Sequence, residues 1–387
     1  MVRRKPVKKI ALFHPWIKSK GGAEKVVLEL MEKSKHKINL YTWIYDRENT
    51  FDEFKNFNIK VVAPKFGAKL SRLHLLRGLF FPISLFSKIP LQNYDLFLIS
   101  TSGVGEFITF RNKLKGKTLA YVHTPLRYAN KNLSKWEKRN KTFIKKMIYS
   151  LAIKIYRFLE KHSWKNLDMV IFNSELSRER AKESNILKKK ENFIVYPPFD
   201  ASRFENLKKG KNENMFLYWS RLNPPKRQDL LIRAWKGFVK KNPKYKLCIV
   251  GDIDNKDYFE KLKKLQSETK NIEIKTNVPN KELDNIFANS IAGLFLGYEE
   301  DFGIIPFEIL ASGKPLIAVN KGGYVKLIKD HPNFYKIDEK QDSKKMVKEI
   351  EKSLDNFVKT KQTSKTKYKI KTGNFIEEIE EIIDKIK

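Results

Sequence analysis

The residues best suited to chemistry lie in one stretch, 298–319, with the sequence YEEDFGIIPFEILASGKPLIAV. Its acidic loop, Glu299, Glu300 and Asp301, runs through Phe302 and Gly303 into a short apolar helical segment ending at Gly313; Pro315 then opens a strand from Leu316 to Val319. Gly303 suits a tight turn, Pro306 a first helical turn and Gly313 a left-handed helix end. The expected unit is therefore strand, loop, helix, strand, with unpaired N–H groups near Ile304 and Ile305 that can seat a phosphate. Glu300 and Glu308 flank that seat. Carboxylates repel phosphate, so their suitable task is to accept hydrogen bonds from sugar hydroxyls. Taken alone, the unit reads equally well as an ordinary helix whose acidic residues stabilise its positive end.

Arg221 and Lys226 supply opposite charge. They occupy the loop after an expected strand at 215–219, on the same sheet edge as the acidic stretch. An arginine fork and a lysine point charge in such a loop neutralise a diphosphate; the plainer reading is two solvated surface cations. His123 follows an expected strand at 119–122 and begins the run HTPLRY, in which Arg127 adds a cation. The carboxyl ends of parallel strands are where α/β folds place ligands, although a lone histidine is more often structural. Near the start, Gly21 and Gly22 lead from a strand at 9–13 and a loop at 14–20 into a helix with Val26, Val27, Leu30 and Met31 at helical spacing. That is the opening of a Rossmann-like unit, though a glycine pair alone also fits a simple turn. Gly322 and Gly323 form a second ligand-compatible turn. The sequence contains no metal-ligand cluster, no GxSxG elbow and no P-loop.

The positioning elements follow the same grammar in both halves. Strands are expected at 38–44, 59–62, 95–101, 168–172 and 193–196, then Pro197 and Pro198 mark a hinge near residue 200, since two prolines cannot continue a central strand. Strands at 246–250, 272–275 and 291–296 follow, with helices at 229–239, 281–288, 343–357 and 375–386 and a lysine-rich polar stretch at 359–371. Residues 75–89 are apolar but interrupted by Arg77, Pro82 and Lys88, which argues for a loop packed on the domain over a surface helix pair touching lipid. Residues 143–159 carry an apolar helical stripe with lysines on the other side; core packing of that stripe is the expectation, with the lysines free to meet lipid headgroups.

Length and composition bound the rest. At 387 residues two domains are expected, and 41% hydrophobic residues exclude wholesale disorder. The single cysteine, Cys248, fits a reducing cytoplasm. The basic beginning, MVRRKPVKKIALFHPW, has too short an apolar run for a signal peptide and reads as a first buried strand. A net charge of +35, from 79 Lys and Arg against 44 Asp and Glu, asks for an anionic partner or a lysine-rich solvated surface. A nucleic acid is the weaker choice, because aromatics are not gathered with lysines into a stacking platform.

Together, GGAEKV, YVHTPLRY, NSELSRER followed by YPPFD, YWSRLNPPKRQDLLIRAW and EEDFGIIPFEILASGKPLIA resemble the retaining glycosyltransferases of family 4, over most of the chain. The resemblance is greatest to a branch that includes mannosyltransferases acting on lipid-linked glycans. It implies an α/β chain of the GT-B fold: an acceptor domain at 1–198, a nucleotide-sugar domain at 199–372 facing it across a cleft, and a helix at 373–387 that crosses back to the first domain. It implies a nucleotide-sugar donor such as GDP-mannose, a lipid-linked or cell-surface glycan acceptor, no metal, no nucleic acid, and a cytoplasmic protein peripheral on the inner membrane face. Arg221 and Lys226 would hold the diphosphate with the backbone near Gly22, Phe302, Gly303, Ile304 and Ile305. Glu308 would take the ribose, Glu300 the transferred sugar, Val278 the base, and His123 would orient the sugar. No protein base is implied, since the leaving phosphate takes the acceptor's proton. One departure is Lys326, where many relatives carry an acidic residue after the second glycine pair. The rivals are a basic nucleic-acid- or membrane-binding protein on the same scaffold, a nucleotide-sugar epimerase and a degenerate scaffold; the set Arg221, Lys226, Glu300 and Glu308 argues against the last two.

Overall fold

Short apolar runs bounded by glycine, proline or charge become parallel strands, the central ones such as Leu96–Thr101, Thr118–Val122 and Leu316–Val319 buried on both faces, the pattern expected when helices cover a sheet from either side. In the computed structural model, which describes residues 6–63, 85–125, 142–207, 210, 214–360 and 373–386, the chain divides into two units, Met1–Pro198 with Thr372–Lys387, and Phe199–Lys371.

The first unit contains β1 (Lys9–Ile17), β2 (Lys37–Tyr45), β3 (Ile59–Val61), β4 (Leu96–Thr101), β5 (Thr118–Val122), β6 (Met169–Phe172) and β7 (Glu191–Ile194), arranged as β3-β2-β1-β4-β5-β6-β7. Every pair is parallel. The reversal of direction between β1 and β4 is the switch point of a doubly wound sheet. Helices α1 (Gly22–Lys33), α2 (Phe143–Trp164) and α3 (Glu175–Glu183) accompany it. Ser174 caps α3 by accepting from the Ser177 N–H at 3.1 Å.

The second unit repeats the plan. β8 (Met215–Trp219), β9 (Lys246–Val250), β10 (Ile272–Lys275), β11 (Ser290–Phe295), β12 (Leu316–Val319) and β13 (Phe334–Ile337) run parallel in the order β10-β9-β8-β11-β12-β13. Its described helices are α4 (Ala201–Glu205), α5 (Gln228–Lys241), α6 (Lys256–Ser267), α7 (Asn280–Asn289), α8 (Ile304–Ala311), α9 (Val325–Ile328) and α10 (Ser343–Thr360). Met346, Ile350, Leu354 and Phe357 of α10 join Trp235 and Phe238 of α5 in one core. The last helix, α11 (Phe375–Lys385), returns to the first unit, where Phe375, Ile379, Ile382 and Ile383 enter the core beside Leu12, Val27 and Tyr121. Lys8 Nζ donates to the Ile383 carbonyl at 2.9 Å and secures that helix end.

Three expectations change. The loop assigned to 14–20 begins later, because β1 continues through His14, Pro15 and Trp16 to Ile17. Its pairing with β4 ends at Phe13, so Pro15 falls where that side has no ladder to break. The stripe at 143–159 is not core: Phe143, Met147, Ile148, Leu151, Ile155 and Phe158 are exposed, while Ile153, Glu160 and Trp164 face inward. Apolar spacing locates a helix face but does not say which face meets the protein. β13 was not anticipated, since FYKI is a four-residue edge strand interrupted by lysine. Most of the 75–89 segment, Arg127, and all but the start of the 359–371 stretch lie outside the described residues.

Candidate active site

The loops after β8 and β11 carry the second unit's candidate residues Arg221, Lys226 and Glu300. After Trp219 the chain makes a one-turn helix at Pro224–Lys226, then places Arg227 at φ 59° before α5 begins. Two bonds fix this loop: the hydroxyl of Tyr218, on β8 itself, donates to the Lys226 carbonyl, and the N–H of Tyr298, in the segment after β11, donates to the Pro225 carbonyl at 2.8 Å. Tyr218 is fully buried, and the same hydroxyl accepts from the Leu296 N–H at 3.3 Å. One tyrosine therefore ties both loops to the sheet between them.

That arrangement brings Lys226 and Glu300 together, with Nζ 2.5 Å from Oε2 and both side chains mostly shielded from water. The Lys226 ammonium also lies 5.3 Å from the centre of the Phe295 ring. Arg221 takes a different place: it is half exposed and stands 4.0 Å from Asp254 in the loop after β9.

Glu300 precedes a tightly built turn. Gly303 takes φ +81°, and no side chain caps α8, so the start of that helix presents its backbone donors at Ile304 and Ile305 uncapped. Phe302 is buried and stacks on Phe307 at 4.9 Å, bracing the turn. Glu308 lies on the same helix and is buried. Gly322 and Gly323 serve this loop: the Gly323 N–H donates to the Glu300 carbonyl at 2.9 Å, and a Cβ on Gly323 would fall 1.7 Å from the Asp301 carbonyl oxygen. The second glycine pair thus permits two backbones to touch. Val278 lies half-buried just before α7, beyond Asn277 at φ 54°.

Arg227 and Glu339 went unremarked in the sequence. Arg227 is buried, makes a two-pronged pair with Glu339 at 2.8 and 2.9 Å, and lies 4.2 Å from the Tyr298 ring centre. The fork pins the start of α5 beneath the Lys226 loop. The partner is 112 residues away, so no local spacing signalled it.

In the first unit His123 directly follows β5, and its Nε2 lies 2.8 Å from Ser100 Oγ, which is 3.0 Å from His14 Nδ1. Burial, and then the neighbouring His14, push the His123 imidazole down to about 3; burial pushes His14 down to about 4. Both rings are therefore neutral at neutral pH, and one hydroxyl links their tautomers. The His14 Nε2 is buried without a hydrogen-bond partner. Neither His14 nor Ser100 was singled out in the sequence, although the extension of β1 places His14 beside β4. Gly22 opens α1, exposed, after Gly21 at φ −101° with no side-chain cap. Among the described residues no group of three His, Cys, Asp or Glu side chains is placed to hold a metal.

Residues 199–370 match the family model described as glycosyl transferases group 1. The chain is 24% identical over 378 residues to an alpha-1,3/1,6-mannosyltransferase ALG2 from Kluyveromyces lactis, covering 84% of this chain and 72% of that protein. It is 25% identical over 368 residues to the GDP-Man:Man(3)GlcNAc(2)-PP-Dol alpha-1,2-mannosyltransferase of Homo sapiens, covering 81% and 73%. Among solved structures it resembles WaaG, a glycosyltransferase involved in lipopolysaccharide biosynthesis, with a TM-score of 0.64, 14% identity and coverage of 97% and 99%. It also resembles Anabaena Alr3699/HepE in complex with UDP and glucose, with a TM-score of 0.62, 16% identity and coverage of 91% of each chain. The fold is GT-B, with two parallel-sheet Rossmann-like domains.

Proposed function

We propose that the chain is a group 1 glycosyltransferase, the family whose model residues 199–370 match, and that it transfers mannose from GDP-mannose to a lipid-linked glycan with retention of configuration and without a metal. The observation that carries the reading is the joining of Lys226 to Glu300 at 2.5 Å beside a helix start that no side chain caps. The activities named for the mannosyltransferase relatives support the choice of sugar, donor and acceptor class.

In this reading residues 199–372 bind the donor and residues 1–198 the acceptor, with 373–387 returning to the first. Departure of the nucleoside diphosphate builds negative charge on the leaving oxygen. Lys226, Arg221 and the N–H groups of Ile304 and Ile305 receive it, and Phe302 and Gly303 shape the backbone that presents them. Glu300 accepts from hydroxyls of the transferred sugar, Glu308 from the ribose, and Val278 packs near the base. The roles of Gly22 toward the diphosphate and of His123 toward the sugar rest on the family resemblance. A neutral His123 suits a hydrogen-bonding role, whereas a general acid at neutral pH would need a higher proton affinity. Work at the cytoplasmic face of an anionic membrane completes the reading. Attachment there is peripheral in this reading; among the described residues no helix is long and apolar enough to cross a membrane.

Slow donor hydrolysis, which needs no acceptor, tests the proposal across a panel of nucleotide sugars. GDP-mannose is expected to be turned over, and Glu308→Ala to weaken it. If no nucleotide sugar is bound or hydrolysed and Glu308→Ala changes nothing, the transferase reading fails. Preference for another nucleotide sugar would overturn the choice of mannose alone.

A further inference from the structure

The helix α2 is built inside out relative to an ordinary surface helix. Its inner side is fixed by Ile153, Glu160, Ser163 and Trp164, all buried, and by Tyr156, which stacks on Phe107 at 6.4 Å. Its outer side carries Phe143, Met147, Ile148, Leu151, Ile155 and Phe158, each more than half exposed. Six of the eleven exposed large apolar side chains among the described residues thus belong to one helix. At about 100° per residue they span an arc of roughly 140°. A contiguous apolar face of that width is costly in water and marks an interaction surface.

The charge beside it identifies the occupant. Lys146, Lys154, Arg157 and Lys161 are exposed and fall along one flank of the arc, and the helix's one carboxylate, Glu160, is buried on the other side. We propose that this face of α2 docks the chain on an anionic lipid surface, with the six apolar side chains entering the headgroup boundary and the four cations meeting lipid phosphates. The aromatic and aliphatic face bordered by lysine and arginine is the arrangement of an interfacial helix. A second copy of this chain is the poorer fit, because a symmetric contact through this face would bring like-charged flanks together in a chain of net charge +35. The proposal gives a location to the membrane attachment suggested above and rests on that reading in this respect only.

Co-sedimentation of the full chain with vesicles of phosphatidylcholine, alone or mixed with phosphatidylglycerol, tests it. Binding is expected to the mixed vesicles and to fall at high salt. The combined Met147→Ser, Leu151→Ser and Phe158→Ser variant should bind about a hundredfold more weakly. Lys154→Gln, Arg157→Gln and Lys161→Gln should each cost about fivefold at low salt. As these positions are exposed, unfolding curves and slow donor hydrolysis in solution should match the parent chain. Failure of donor hydrolysis with lipid binding intact would count against the transferase reading alone. The docking proposal is overturned if the apolar variant binds vesicles like the parent, if lipid charge makes no difference, or if the parent is a dimer that this variant converts to monomer.

Discussion

Lys226 Nζ lies 2.5 Å from Glu300 Oε2, joining the loop after β8 to the loop after β11 across 74 residues of sequence. A lysine so placed is neutralised until a more negative group arrives, and the glutamate is held in one orientation. A diphosphate seated at the start of α8 would compete for Lys226 and release Glu300 toward a sugar hydroxyl. Lys226→Ala is therefore expected to lower turnover about a hundredfold, the usual cost of losing one charge-stabilising donor. Glu300→Gln should also lower it, and the double variant should lose less than the product of the two effects, because neighbouring groups couple. Steady-state donor hydrolysis by all four proteins measures this, and strict multiplicativity would show that the pair does not act together.

The two arginines of the same loop should separate function from stability. Arg227 is buried and doubly bonded to Glu339, whereas Arg221 is half exposed and only 4.0 Å from Asp254. Arg227→Lys keeps the charge but loses the fork, and should cost about 1–3 kcal/mol in urea unfolding. Arg221→Ala should change stability by no more than about 0.5 kcal/mol and still reduce donor turnover about a hundredfold. The reverse pattern would exchange the roles assigned to them.

Twelve of the thirteen strands among the described residues were legible because their apolar runs are short and cleanly bounded; β13 was missed because FYKI at a sheet edge carries little periodic signal. The turn at Gly303 and the helix end at Gly313 could be read from residue type, and both take positive φ as expected. The Lys226 and Glu300 contact could be inferred only from the placement of both loops at one sheet edge. Arg227 with Glu339, and His14 with Ser100, escaped because each pair is made by tertiary contact between distant strands and loops. The exposure of α2 escaped for the opposite reason: its periodicity was plain, but periodicity carries no sign for inward or outward.

The buried pair His14 and His123 should make the first unit sensitive to acid. Unfolded, both titrate near 6.5; folded, they are held at about 4 and about 3. Between those values the unfolded chain binds more protons, so stability is full above about pH 6.5 and declines as the pH falls toward 3. Over that range His14 accounts for about 3 kcal/mol of the decline and His123 for about 5 kcal/mol. Urea unfolding followed from pH 7 to pH 4 should show it, with a shallower slope for His14→Gln. An unchanged slope in that variant would mean that His14 takes up its proton as readily in the folded chain as in the unfolded one.

Gly323 offers the sharpest test of how the acidic loop is held. A methyl group there would meet the Asp301 carbonyl oxygen at 1.7 Å, and that obstacle is backbone, which cannot rotate aside like a side chain. Gly323→Ala must therefore push the 300–303 segment away from the Gly323 N–H that now bonds the Glu300 carbonyl. The expected cost is about 1–3 kcal/mol of stability, with a further loss in donor turnover because Glu300 and the Ile304 N–H move together. Gly313→Ala is the control: it sits at φ +71° with open space around its Cβ position, so it should cost about 1–2 kcal/mol from backbone strain alone. Because Gly313 lies at the far end of α8, turnover by the folded fraction should be retained. If the two variants lose stability and turnover in equal proportion, Gly323 is only a turn residue, and the acidic loop is positioned by something other than the backbone behind it.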